Sequence, residues 1–198
     1  MASNVRRFRV EILDDYFLFT AFGARSRWRS LSLFSLGRSM IYAFLVCQLL
    51  VVLFIALHDW IPLGKLNNLQ GIRAADTTRR LLFVTMLSTL PFAVAFVASV
   101  YYVKAHFPAW LLWLLWLSYG TGLYGMLRTW WLPYLFVKDP VRAERYQVRF
   151  AETHAFLPAR NGIRPDTLHV SFHVFFVTAF VLLCILSFSG RARGMDTP

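Results

Sequence analysis

Residues 81–103, LLFVTMLSTLPFAVAFVASVYYV, contain no charged side chain, and that run limits what this chain can become. As a helix it is long enough to cross a hydrocarbon core of about 30 Å. Three other stretches share the property. Residues 40–57 hold Gln48 as their only strongly polar side chain, residues 109–127 are uncharged, and residues 168–188 carry His169 and His173 near their start. The runs are continuous rather than alternating, which argues against membrane strands. A helix also satisfies its own backbone hydrogen bonds in lipid.

Composition agrees. Hydrophobic residues make up 58% of the chain and charged residues 16%, against roughly 45–50% and 25% in ordinary globular domains. So apolar a chain of 198 residues has too little interior to bury its side chains in water. Disorder is excluded by the aromatic content, and 2 cysteines cannot staple a secreted scaffold. The expected fold is therefore an all-α integral membrane protein. It has four transmembrane helices in a bundle over 40–188, plus one or two amphipathic interfacial helices. A basic amphipathic segment over 1–39 precedes the bundle, and a polar tail over 189–198 follows it.

The first segment does not read as a signal peptide, because Glu11, Asp14 and Asp15 interrupt its one apolar patch. Val5, Phe8, Ile12, Tyr16 and Phe19 recur at helical spacing beside Arg6, Arg7 and Arg9. That pattern suits a helix lying in the membrane interface or packed on a partner protein. Cap residues mark other starts: Asp76 or Thr77 for the second span, Asp166 or Thr167 for the fourth. Asp139-Pro140 opens a further helix over about 140–157. In it Arg142, Arg145, Arg149 and Glu152 share one face, and Ala143, Tyr146, Phe150, Thr153 and Leu157 another, so it is expected to lie flat on the membrane. Asn161-Gly162 is expected to turn through positive φ. Arg128, at the end of the third run, is expected to snorkel toward headgroups among Trp130 and Trp131.

The net charge of +11 would suggest nucleic acid on a soluble domain. Here the cations are dispersed around the spans, and anionic lipid headgroups account for them more simply. Nucleic acid is not an expected partner. Cation numbers on the two sides nearly balance. Orientation therefore rests on the arginines before the first span, which favour cytoplasmic termini. The expected location is a bacterial cytoplasmic membrane, crossed several times. Cys47 and Cys184 fall inside spans as small hydrophobes.

The chemistry-bearing residues cluster late in the chain. His154, Arg160, Asn161, Asp166, His169 and His173 are expected to converge where the fourth span enters the membrane, with His169 and His173 one helical turn apart. A zinc protease needs a glutamate inside its helical histidine pair, and HVSFH has none. Five histidines are too few for a di-iron oxygenase. Haem is the alternative with the most support: His169 or His173 as one axial ligand, His58 or His154 as the other. A lesser alternative is a lipid-headgroup enzyme with His154, Arg160 and Asp166 as catalytic candidates. In the simpler reading the histidines hydrogen-bond backbone groups or Asp166. Ser118, Thr121, Gly122 and Gly125 form a small-residue groove for close helix packing. A transporter is disfavoured, since no acidic residue lies in any span. The leading expectation is a non-catalytic accessory or scaffolding subunit of a membrane assembly, with a membrane-protein partner or a second copy beside it.

Overall fold

Local capping sets the helix starts in a computed structural model that describes residues 37–189. The N-terminal amphipathic pattern (Val5, Phe8, Ile12, Tyr16, Phe19) and the polar tail beyond residue 189 lie outside the described residues. The chain divides into two units, Met1–Met40 and Ile41–Pro198, and the packing below is that of the second.

Helix α1 is Gly37–Leu57. A 3₁₀ turn at Gly64–Leu66 leads to α2, Leu69–Ala75, whose Asn68 cap accepts a hydrogen bond from the Gly71 N–H. Thr77 caps α3, Thr78–Tyr101, which runs on through Pro91. After a short link comes α4, Ala109–Met126, extended by a π-helical turn, Leu127–Trp131, and by α5, Leu132–Leu135. Asp139 caps α6, Pro140–Phe150, and Asp166 caps α7, Thr167–Phe188. These three caps are the residues singled out by the side-chain chemistry of helix starts: an oxygen on a short side chain reaches an unpaired N–H of the first turn.

The described residues are helical, with no strand and one isolated bridge between Arg160 and Ile163. That bridge closes a tight turn in which Asn161 and Gly162 both take positive φ, 52° and 79°. The Gly162 position also lies against Ala143, where a Cβ would sit 2.7 Å from the Ala143 methyl.

Three helices, α1, α3 and α7, are long and apolar enough to cross a membrane. Helix α4 was expected to join them. It is equally uncharged over its 18 residues, but it is not among the helices that meet both conditions. The expected interfacial helix over 140–157 is shorter than its pattern suggests. It stops at Phe150 because Thr153 turns back, its N–H and hydroxyl both donating to the Phe150 carbonyl at 3.2 and 2.8 Å. The His154 N–H then donates to the Lys65 carbonyl instead of continuing the helix.

Aromatic contacts knit the long helices together. Phe92 of α3, Tyr119 of α4 and Phe176 of α7 meet at ring separations of 5.1–5.9 Å. Phe54 of α1 stacks on Phe172 of α7 at 4.1 Å. Gln48 of α1 and Ser99 of α3 are buried and face each other at 3.5 Å. The C-terminus of α1, the N-termini of α3 and α7, and the π-helical turn after α4 all come to one end of this packing. There α2 and α6 lie against each other, and Gly71 makes their approach possible: a Cβ on it would meet the Val148 and Arg149 carbonyls at 2.6 and 2.7 Å.

Candidate functional site

That end gathers a buried ionic and histidine-rich layer. It begins where the apolar run of α1 stops. The His58 Nδ1–H donates to the Phe54 carbonyl at 2.9 Å, and the imidazole stacks on the Phe54 ring at 4.5 Å. The Nε2 of His58 lies 3.3 Å from an Asp59 carboxylate oxygen. Arg149 of α6 donates to that same oxygen at 2.7 Å and, through its other terminal nitrogen, to Asp76 at 3.1 Å. Asp76 also pairs with Arg80. One guanidinium thus ties the end of α1, the α2–α3 junction and α6 together. The two carboxylates are only 8% and 7% exposed, so removing the arginine would strand buried charge, at a cost of about 3–5 kcal/mol.

The second half comes from the start of α7. Asp166 is buried and accepts twice from His169: from its backbone N–H at 3.0 Å and from its Nδ1–H at 2.7 Å. Burial alone pushes the Asp166 pKa up. The His169 hydrogen bond and charge, joined by backbone N–H groups, pull it below its ordinary value, so the carboxylate stays ionised. His58 goes the other way. Burial first, then the neighbouring His169, lowers it to about 4 against the opposing pull of Asp59, so it is neutral at pH 7. The two imidazoles meet edge to face at 5.4 Å. Trp130, Phe150 and Phe54 surround His169 at 4.6, 5.1 and 5.5 Å. His173 lies one turn deeper, buried beside Trp130 and Trp131 at 6.0 and 5.8 Å. Its Nδ1 has no hydrogen-bond partner among the described residues.

The structure therefore brings Asp166, His169 and His173 together and adds His58. His154 and Arg160 go elsewhere. The exposed His154 bonds Thr167 through Nδ1 at 2.7 Å, at the outer edge of α7. Arg160 lies over the Tyr134 ring at 5.9 Å, and Asn161 donates to the Pro133 and Tyr134 carbonyls of α5. Of the packing residues, Ser118 is buried, and Gly122 faces Phe176 and Phe92. Thr121 is exposed and donates to the Leu117 carbonyl at 2.7 Å, while Gly125 has open space where a Cβ would be.

Haem does not fit between His58 and His169. The rings are already in edge contact, and Phe54, Trp130 and Phe150 fill the space a macrocycle would need. Among the described residues no group of three or more His, Cys, Asp or Glu is placed to hold a metal ion. In chemical terms the Asp166–His169 pair is an oriented imidazole, 12% exposed on its histidine side chain and walled by aromatic rings.

Sequence reasoning missed Asp59, Asp76, Arg149 and Trp130. The arginine stood on the polar face of an amphipathic helix and was assigned to headgroups. Its acidic partners at the borders of the apolar runs were the available signal, since carboxylates at that depth need a cation. Trp130 is turned inward by the π-helical turn, while Arg128 of the same turn stays exposed.

No protein-family model matches the chain, no curated protein is similar to it, and no solved structure matches its fold.

Proposed function

We propose that this chain is a four-span membrane protein with a structural role, an accessory or scaffolding subunit of a larger membrane assembly. Three helices meet the length and apolarity that crossing requires. The link from α3 to α4 is short, so a chain crossing in α3 is returned by the uncharged α4.

One observation carries the non-catalytic reading. The charged groups of the layer find partners within the chain: Asp59 and Asp76 with Arg149 and Arg80, and Asp166 with the hydrogen-bond donors of His169. An enzyme site holds such groups open toward a substrate. Here Arg149 joins elements that are distant in the sequence, as the seams of a scaffold do. The outward side of α4 offers the partner surface: Trp113, Leu117 and Tyr124 are 75%, 66% and 68% exposed at helical spacing. Lipid and a neighbouring helix both suit such a face.

Mild detergent extraction of native membranes, followed by native electrophoresis and detection of the chain, tests this. Migration within a larger assembly is expected. Migration only as a lone 23.0 kDa chain, with no co-purifying protein and no self-association, overturns the scaffolding reading.

A further inference from the structure

We propose that the ledge at the junction of α5 and α6 is a binding site for the headgroup of an anionic phospholipid. The proposal rests on the membrane reading above, which sets the depth: α1 ends, and α3 and α7 begin, at this end of the molecule. The ledge is where hydrocarbon gives way to headgroups.

The chemistry is two-fold. Arg128, Lys138 and Arg145 are exposed and form no ion pair among the described residues. The nearby Asp139 is already committed: its carboxylate accepts from the Arg142 backbone N–H and Nε, each at 3.0 Å. Glu144 is the other acid of this segment, so the ledge keeps an excess of positive charge. Between these cations the chain exposes Phe136, Val137 and Val141, which are 76%, 53% and 73% accessible. Cations beside bare apolar side chains match one ligand class closely: a phosphate with a glycerol backbone and acyl chains beneath it.

The ledge is also held rigidly. The π-helical turn frees backbone carbonyls. Arg142 Nη1 donates to those of Arg128 and Thr129 at 3.2 and 3.1 Å, and the Tyr146 hydroxyl donates to Thr129 at 3.1 Å. Asn161 braces α5 from the other side. The backbone of Arg128 is thereby held beside α6; the Arg142 hydrogen bonds first, and the Arg128 charge last, hold the Asp139 pKa below its ordinary value.

Native mass spectrometry of the full-length chain in a non-ionic detergent tests the site. The detergent contains equal amounts of phosphatidylglycerol and phosphatidylcholine. The wild type is expected to retain the anionic lipid preferentially. Lys138→Gln and Arg145→Gln should each weaken that preference roughly fivefold, the equivalent of about 1 kcal/mol per interfacial cation. Lys104→Gln, in the α3–α4 link, should leave it unchanged. All three side chains are exposed, and circular dichroism checks that the variants fold. Equal retention of both lipids, or a preference that survives both ledge variants, overturns the proposal. So does competition by soluble glycerol phosphate, which would make this a site for a free phosphate compound. Alkaline carbonate extraction of membranes separates the two failures. Extraction of the chain removes the membrane reading, whereas retention without lipid preference removes only the ledge.

Discussion

His58 is the residue at which burial most visibly overrides intrinsic chemistry. On its own an imidazole at the end of an apolar helix titrates near neutrality, but this one is enclosed by Phe54, His169, Asp59 and Arg149 and pushed down to about 4. Between its ordinary value of 6.5 and about 4, the unfolded chain binds a proton that the native one refuses. Native stability therefore rises with pH across this window and is lost as pH falls through it, by on the order of 3 kcal/mol at most. Asp166 acts in a lower window: its pKa is depressed, so its contribution persists until pH falls below the usual carboxylate range. Thermal unfolding in detergent, followed by circular dichroism from neutral pH to about pH 4.5, isolates the histidine. The wild-type midpoint should drop more steeply than that of His58→Gln, and parallel curves for the two proteins would refute the assignment. His58 was named from the sequence only as a haem ligand. Its carbonyl and carboxylate neighbours, Phe54 and Asp59, are local, but His169 and Arg149 come from distant segments, and no spacing in the chain could announce those two.

At the level of whole helices, close approach is decided by single positions. Gly122 of α4 faces α7, and a Cβ there would come within 2.6 Å of the Phe176 ring tip and 3.1 Å of Phe92. Phe176 is 2% exposed and hemmed in by Tyr119, Phe92 and Phe172, so the ring cannot swing away. Gly122→Ala should cost about 1–3 kcal/mol by overpacking. Gly125→Ala, one turn on, meets open space and should be neutral or stabilise slightly, since alanine favours helix over glycine by up to about 1 kcal/mol. Thermal midpoints of the two variants in one detergent decide the point, and equal loss in both would sink the packing argument. Of the small residues that the sequence set at helical spacing, Ser118 and Gly122 lie in packed surroundings, whereas Thr121 is exposed and Gly125 faces open space. The end of α6 was not. Its apolar period continues past Phe150, yet Thr153 and the Lys65 carbonyl compete for the backbone and win. The three side-chain caps at Thr77, Asp139 and Asp166 were readable for the opposite reason, because each acts within three residues of itself.

Across the described residues as a whole, charge gathers at the ends of the long apolar helices, and this sets the last prediction. Asp59, Asp76, Arg149 and Asp166 lie at the end formed by α2 and α6, while the α3–α4 link with Lys104 lies at the far end of α3. Continuous apolar runs made the long helices evident from the sequence alone. The Arg149 half of the ionic layer was hidden because Asp59 and Asp76 border different runs and meet that arginine only once the helices are packed. If α3 spans the bilayer and α4 returns, Lys104 and the exposed Gln147 of α6 face opposite compartments. Cys47 and Cys184 are replaced by alanine, and a single reporter is introduced as Lys104→Cys or Gln147→Cys. Each variant in sealed membranes is then treated with a membrane-impermeant maleimide, before and after permeabilisation. One reporter should label at once and the other only after permeabilisation. Prompt labelling of Gln147→Cys on intact cells would further agree with cytoplasmic termini, since an even number of crossings puts α6 on the side away from both ends. Prompt labelling of both reporters, equal in rate and indifferent to permeabilisation, would mean that the two ends share a compartment and that α3 and α4 do not form a spanning pair.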